Sequence, residues 1–149
     1  MPASWICKKY DELTIDELYA ILQLRIEVFI VEQKCAFQDA DNKDRHCFHL
    51  MCWNDGDLSA YSRLVPAAVS FNEISIGRVI TSSASRRTGL GKQLMEKSIE
   101  NCYSLFGKQP VRIGAQLYLK KFYESVGFLP AGPVYLEDGI EHMEMILNG

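Results

Sequence analysis

The stretch RVITSSASRRTGLGK, residues 78–92, joins a strand-like run to a helical one. Its first four residues are mostly β-branched and predict a strand, whereas apolar residues recur at helical spacing from Leu90 onward. The first turn of a helix has unpaired backbone N–H groups and carries partial positive charge. Two glycines let the backbone approach a bulky anion, and two arginines add positive charge. The stretch therefore predicts a pyrophosphate-binding loop at the start of a helix.

Two familiar phosphate-binding motifs are excluded by the spacing. A P-loop requires Ser or Thr after Gly91-Lys92 and a glycine at Arg86, and neither is present. A dinucleotide fingerprint requires a third glycine where Leu94 stands. The remaining pattern is Arg-x-x-Gly-x-Gly, from Arg86 to Gly91. By itself this pattern is equally compatible with a solvated, arginine-rich turn before a helix.

The segments on either side of this loop predict a mixed α/β sheet layered with helices. An Asp-Gly turn at residues 55–56 predicts one hairpin and a second at residues 138–139 predicts another. Thr14 and Glu17 form a capping box at the start of the first helix. The predicted strands cover 5–10, 47–53, 57–64, 73–81, 110–115, 128–136 and 142–147, and the predicted helices cover 15–29, 90–106 and 117–126.

The length and net charge of the chain limit the classes of protein to which it can belong. The chain has 149 residues, 48% of them apolar, and a net charge of −3. We expect one domain over 1–149, and no nucleic-acid or membrane partner, because both favour clustered basic residues. The five cysteines form no CxxC pair, which favours reduced, buried thiols and a cytoplasmic protein.

A second motif follows the loop by some thirty residues. Phe122-Tyr123-Glu124-Ser125-Val126-Gly127-Phe128 contains Tyr-x-x-x-Gly-Phe, and with the loop before it the chain resembles the GNAT superfamily of acyl-CoA-dependent N-acetyltransferases. Further segments resemble the ElaA-like family of that superfamily over nearly the whole chain. These segments are residues 22–33, 39–41, 76–79 and 135–140.

The resemblance implies a GNAT-like fold, α/β (α+β), with a mostly antiparallel mixed sheet and helices on both faces. It also implies transfer of an acetyl group from acetyl-CoA to a primary amine by direct attack, without a metal. Tyr123 matches the position that many relatives use as the general acid toward the leaving thiolate. The implied cofactor-binding residues are Val79, Ile80 and Thr81 for pantetheine, Arg86, Arg87, Thr88, Gly89, Leu90, Gly91 and Lys92 for pyrophosphate, and Gln116, Phe122 and Tyr123 near the thioester arm.

The general base is left open among several candidates. An alkyl ammonium group must lose a proton before it attacks, so a base or a water chain is required. Alternation along the strand places Glu73 on the face of Val79, although far from the loop. Glu32, in the segment where GNAT proteins often build the acceptor site, is the first choice. His142 and His49 are outside candidates, and each is more compatible with a structural role.

Three aspartates, Asp39, Asp41 and Asp44, do not match a calcium loop. They form either an acidic surface that attracts a cationic amine or a solvated acidic loop. Cys35 lies near the predicted acceptor region, and a covalent role for it would have to be checked. The alternative functions are a non-catalytic acyl-CoA-binding sensor or interaction module, and a structural domain without cofactor. The resemblance also makes a homodimer an expectation.

Overall fold

The computed structural model describes residues 3–149, and its strands form two antiparallel sheets that separate along one junction. The first sheet has the order β1-β2-β3-β4 and the second the order β5-β7-β6. The strands are β1 Ser4–Lys9, β2 Phe48–Asn54, β3 Asp57–Val65, β4 Ser75–Thr81, β5 Val111–Gln116, β6 Leu129–Glu137 and β7 Ile140–Leu147. The helices are α1 Ile15–Arg25, α2 Leu90–Phe106 and α3 Lys120–Ser125.

Apolar side chains are buried on both faces of the first sheet. One core cluster joins α2, α3 and β5 to the strands, with Leu94, Met95 and Phe128 fully buried. The other joins α1 to the opposite face through Ile21, Tyr61 and other residues. Helices therefore cover both faces, which confirms the predicted fold class.

Local signals place the turns and the first cap correctly. Thr14 accepts a hydrogen bond from the Glu17 N–H, and Glu17 accepts one from the Thr14 N–H. Asp55 and Gly56 both have positive φ, as do Asp138 and Gly139, so both hairpins turn as the Asp-Gly pairs predict.

Two predicted helices differ in detail from the structure. The first does not remain α-helical to residue 29, because α1 ends at Arg25 and continues as a π-helical segment, Ile26–Glu32. The last begins with a 3₁₀ turn, Leu117–Leu119, before α3. Both irregular segments face the same cavity, described below.

A β-bulge in β4 invalidates the predicted alternation along that strand. Arg78 has a φ of 51°, and the pairing with β3 shifts between Tyr61 and Arg63. Ile76 consequently belongs to the core under α2, while Ile80 belongs to the core under α1. In a regular strand, two residues four positions apart lie on the same face, so the bulge is what places Ile76 and Ile80 on opposite faces. Residues before the bulge therefore cannot be assigned to the face of Val79 by alternation.

The three aspartates do not form an acidic surface or a solvated loop, which corrects both expectations for them. Asp39 and Asp44 are buried, and all three carboxylates pair with arginines from α1, β3 and β4. We call this group the buried ionic cluster. Its members are Arg25, Arg63, Arg78, Asp39, Asp41 and Asp44, so its formal charge is zero.

The cluster predicts a loss of stability in acid. Burial favours the neutral form of Asp41, but hydrogen bonds and charge from Arg63 outweigh it and lower its pKa to about 2. Because the pKa of Asp41 is lower in the folded chain than in the unfolded chain, its ionised carboxylate stabilises the fold above about pH 4. This contribution is lost as the pH falls toward 2. We expect Asp41 alone to account for about 2 kcal/mol across this range. Urea unfolding at pH 7, 4 and 2.5 measures it, and Asp41→Asn should flatten the slope between pH 4 and 2.5. An equally steep slope in that variant would contradict the assignment.

The buried thiols are poor nucleophiles. Burial raises the pKa of Cys47 to about 11 and the pKa of Cys102 to about 12. All five cysteines are free.

In residues 3–149, no helix combines the length and apolar character needed to cross a bilayer.

Candidate active site

A cavity of about 900 Å³ opens where the two sheets separate. In the described residues, the two sheets pair only just before β4 begins, where Ile74 and Val111 form one parallel bridge and the Arg112 N–H donates to the Ile74 carbonyl, 3.0 Å. Beyond that bridge, the side of β4 facing β5 has no strand partner in the described chain. Val79, Ile80 and Thr81 line the cavity along this edge. Their peptide groups are available to an extended ligand, as added strands use sheet edges.

The glycine-containing loop lies next to this edge. Gly89 is the N-cap of α2 with a φ of 82°, and the first intrahelical bond runs from the Gln93 N–H to the Gly89 carbonyl, 3.2 Å. Arg87 also has positive φ, 64°. The amide groups of the first turn thus point outward at the helix start. Gly91 packs on the Phe122 ring, where an added Cβ would lie 3.9 Å from it, so Phe122 supports the loop from behind.

Arg86 is the one arginine of the loop that reaches the cavity. Its guanidinium pairs with the Glu32 carboxylate at the end of the π-helical segment. The residue expected to bind pyrophosphate and the residue expected to act as base are therefore paired with each other on the cavity wall.

Tyr123 lies on the wall of the cavity. Only 7% of its surface is exposed, and its ring meets Phe122 and Phe128 edge to face. Burial, and to a smaller extent Tyr118, raises the pKa of Tyr123. The hydroxyl is therefore a weak acid but can still donate a hydrogen bond.

Gln116, at the end of β5, meets the amide of Gln33 across the cavity. The two side chains exchange hydrogen bonds of 3.2 and 3.3 Å. The pair connects the π-helical segment to the second sheet. Gln33 had no predicted role, and nothing in its local sequence indicates the contact with Gln116, 83 residues away.

Only some of the predicted catalytic and cofactor-binding residues line the cavity. Its wall includes Glu32, Val79, Ile80, Thr81, Arg86, Gln116 and Tyr123. The wall does not include Arg87, Thr88, Gly89, Leu90, Gly91, Lys92 or Phe122, which form the adjoining loop and its support.

Glu73 lies outside the cavity. It precedes β4 and pairs with Arg112 at 3.1 Å. His49 is also remote, since its ring is fully buried and both nitrogens are occupied, by Tyr61 and by the Asp44 carbonyl. His142, by contrast, lies on the cavity wall.

The cavity wall also includes Phe29, Phe37 and Arg78, which the sequence motifs did not assign to the site, and Cys35, which was expected near the acceptor region. Arg78 lies between the rings of Phe29 and Phe37, with its guanidinium carbon 6.0 and 5.7 Å from their centroids. The Cys35 thiol donates to the Asp138 carbonyl, 3.2 Å. The contacts connect the irregular segment after α1 to β4 and to the turn between β6 and β7, so only the folded chain reveals them.

Comparison with known proteins gives a consistent picture. Residues 20–148 match the family model described as an acetyltransferase (GNAT) domain. Protein ElaA of Escherichia coli is 43% identical over 95% of this chain and 94% of its own length. Its crystal structure aligns with a TM-score of 0.92 over 99% of this chain and 100% of that chain.

Two further structures extend the comparison. An acyl-CoA N-acyltransferase from Pseudomonas aeruginosa is 45% identical, with a TM-score of 0.92 over 98% of this chain and 99% of that chain. An aminoglycoside 6'-N-acetyltransferase complexed with coenzyme A is 13% identical, with a TM-score of 0.71 over 96% of both chains, and shares the fold alone.

The chain belongs to the GNAT family of acetyltransferases. Within that family its similarity is to ElaA, which confirms the resemblance found in the sequence motifs.

Proposed function

We propose that this protein transfers an acetyl group from acetyl-CoA to a primary amine by direct attack of the amine on the thioester. The observation that carries the proposal is the unpaired edge of β4 beside the glycine-containing loop, along a cavity whose wall includes Tyr123. Pantetheine would extend along Val79, Ile80 and Thr81, while the amides of the loop and Arg86 would bind the pyrophosphate. The match to the acetyltransferase (GNAT) family model supports this assignment. A protein of the same fold, the aminoglycoside 6'-N-acetyltransferase, has been solved with coenzyme A bound.

In this reaction the amine nitrogen forms a bond to the carbonyl carbon and the carbon–sulfur bond breaks. Negative charge develops on the sulfur as CoA leaves. A tyrosine normally has a pKa near 10 and a thiol one near 8.5, so full proton transfer from tyrosine to thiolate is already uphill. Because burial raises the pKa of Tyr123 further, we assign it hydrogen-bond donation to the sulfur rather than complete protonation.

The test is a panel of primary amines incubated with acetyl-CoA, with thiol release followed over time. Calorimetry with CoA gives binding in a separate measurement. Thiol release that depends on an amine supports the transferase. Binding of CoA without release for any amine would support the sensor or interaction module instead, and the absence of binding would leave a structural domain.

Removing the Tyr123 hydroxyl should affect turnover more than binding. We expect Tyr123→Phe to lower kcat about tenfold, because a hydrogen bond to a charged group contributes about 1.5 kcal/mol. The affinity for CoA should stay within about twofold, since the ring and its aromatic contacts remain. Tyr19→Phe is a matched control, because Tyr19 is exposed on α1 outside the cavity. An unchanged kcat would remove Tyr123 from the mechanism.

We further propose a reducing compartment such as the cytoplasm, supported by the five free cysteines. The homodimer stays a prediction, and sedimentation of the purified chain tests it.

A further inference from the structure

His142 lies in β7 on the cavity wall and has a defined tautomer. Its Nδ1 is 2.7 Å from the Ile140 carbonyl oxygen. A carbonyl oxygen only accepts, so Nδ1 carries the proton. In the neutral ring the lone pair is therefore on Nε2. Only 6% of the residue is exposed, which limits competition from bulk water.

Glu137 is positioned to stabilise a proton on that lone pair. Its Oε2 lies 3.6 Å from Nε2 of His142. A proton taken up by Nε2 would convert the ring to a cation next to a carboxylate, and a nearby opposite charge favours the charged form of the ring. The ring of Tyr135 packs beside the imidazole, with centroids 5.8 Å apart, and holds its orientation.

The other base candidates are already engaged. Glu32 pairs with Arg86, and Glu73 pairs with Arg112 outside the cavity. Both nitrogens of His49 have partners. His142 is the candidate that combines a place on the cavity wall with a lone pair not taken by a hydrogen-bond donor.

We propose that His142 is the general base that deprotonates the acceptor amine, with Glu137 as its positioning residue. The inference rests on the proposed function. Nε2 takes one proton from the ammonium group, which leaves a neutral amine that attacks the thioester carbonyl carbon. The carbon–sulfur bond breaks, and the second proton lost by the nitrogen goes to the thiolate, so that CoA leaves as the thiol. His142 then releases its proton to solvent, and the sum is amide, CoA thiol and one proton.

The pH dependence of this step involves several neighbouring groups. Glu137 and Tyr135 of β6 face the ring directly. On β5 its neighbour is Gln116, which is uncharged. The other ionisable groups of the cavity wall are Glu32, Cys35, Asp41, Lys43, Arg78, Arg86, Tyr118, Tyr123 and Asp138. None of them is replaced in the variants below.

The decisive experiment is the pH profile of kcat/KM for His142→Gln, with acetyl-CoA and the fastest primary amine of the panel. Gln can still donate to the Ile140 carbonyl but cannot accept a proton. At pH 7 only about one alkyl amine in 2,500 is neutral, and we expect the variant to be about 100-fold slower than wild type. Its kcat/KM should then rise about tenfold per pH unit, whereas the wild type levels off. The two should converge near pH 9.

A purely structural role for His142 predicts a different profile, in which the rate falls by the same factor at every pH. That result would overturn the proposal. His46→Gln is the matched control, since His46 is exposed and does not line the cavity. Glu137→Gln should give a smaller loss, about fivefold to tenfold at pH 7. An unchanged rate in that variant would overturn the role of Glu137.

A spectroscopic measurement tests the tautomer without turnover. Nitrogen-15 NMR of the histidine ring should show the proton of neutral His142 on Nδ1, and a proton on Nε2 would overturn the proposal. Calorimetry should show unchanged CoA affinity in His142→Gln. If wild type binds and transfers but the pH profiles of wild type and His142→Gln run parallel, this inference fails while the proposed function stands. If no amine is acetylated, the proposed function itself fails.

Discussion

Gly89→Val should weaken CoA binding by roughly 30- to 150-fold. Gly89 has a φ of 82°, a conformation that a β-branched residue rarely adopts. An ideal Cβ at this position meets nothing within 4 Å, so the expected effect arises from the backbone and not from a clash within the protein. If the bound state requires this conformation, it carries about 2–3 kcal/mol of strain, which corresponds to the stated loss in affinity. Isothermal calorimetry measures it directly.

A matched variant separates loop geometry from general strain. Gly107 follows α2 at its other end, has a φ of 86° and likewise has free space around its Cβ position. Gly107→Val should lower stability without changing CoA affinity. Gly89→Asn should retain most of the affinity, because Asn tolerates positive φ. If Gly89→Val binds CoA as tightly as wild type, the pyrophosphate site is not at this loop.

Arg25→Met should lower the free energy of unfolding by about 3–5 kcal/mol, because it leaves buried carboxylates without one of their partners. Arg25 is fully buried and donates to Asp39 from Nε at 2.9 Å and to Asp44 from Nη1 at 2.8 Å. Its Nη2 also donates to the Asp39 carbonyl at 3.0 Å. For a chain of this size the melting temperature should fall by roughly 6–20 °C. Thermal and urea unfolding measure both quantities.

The control is Arg45→Met, the same chemical change at an exposed position whose contact is a 3.4 Å hydrogen bond to Asn42. Exposed contacts of this kind contribute little, so its stability should stay within about 0.5 kcal/mol of wild type. A melting temperature for Arg25→Met within 2 °C of wild type would show that the buried ionic cluster does not stabilise the fold. The cluster also positions the segment that carries Phe37 into the cavity, so acceptor binding should weaken in this variant as well.

Much of the fold could be predicted from local patterns. The Asp-Gly pairs predicted both hairpins, Thr14 and Glu17 predicted the start of α1, and the glycine-containing loop predicted the start of α2. Each of these signals depends on a few neighbouring residues and on the backbone conformations that they allow. The same loop, with the Tyr-x-x-x-Gly-Phe motif around Tyr123, was enough to indicate the family.

The candidate site was predicted less completely. Alternation cannot detect the bulge at Arg78, because it arises where β4 pairs with β3. The three aspartates read as an acidic segment because their arginine partners lie 14 to 39 residues away in the chain. His142 could not be ranked above Glu32 without knowing that Glu32 meets Arg86, 54 residues away.

The sequence by itself determined the family, the order of the helices and strands, and the loop that begins α2, because these depend on short-range spacing and backbone geometry. Only the tertiary structure decided which charges neutralise one another and which histidine faces the cavity. Those properties depend on where distant segments meet, and the energy of an ionic contact depends on the distance and burial that the folded chain creates.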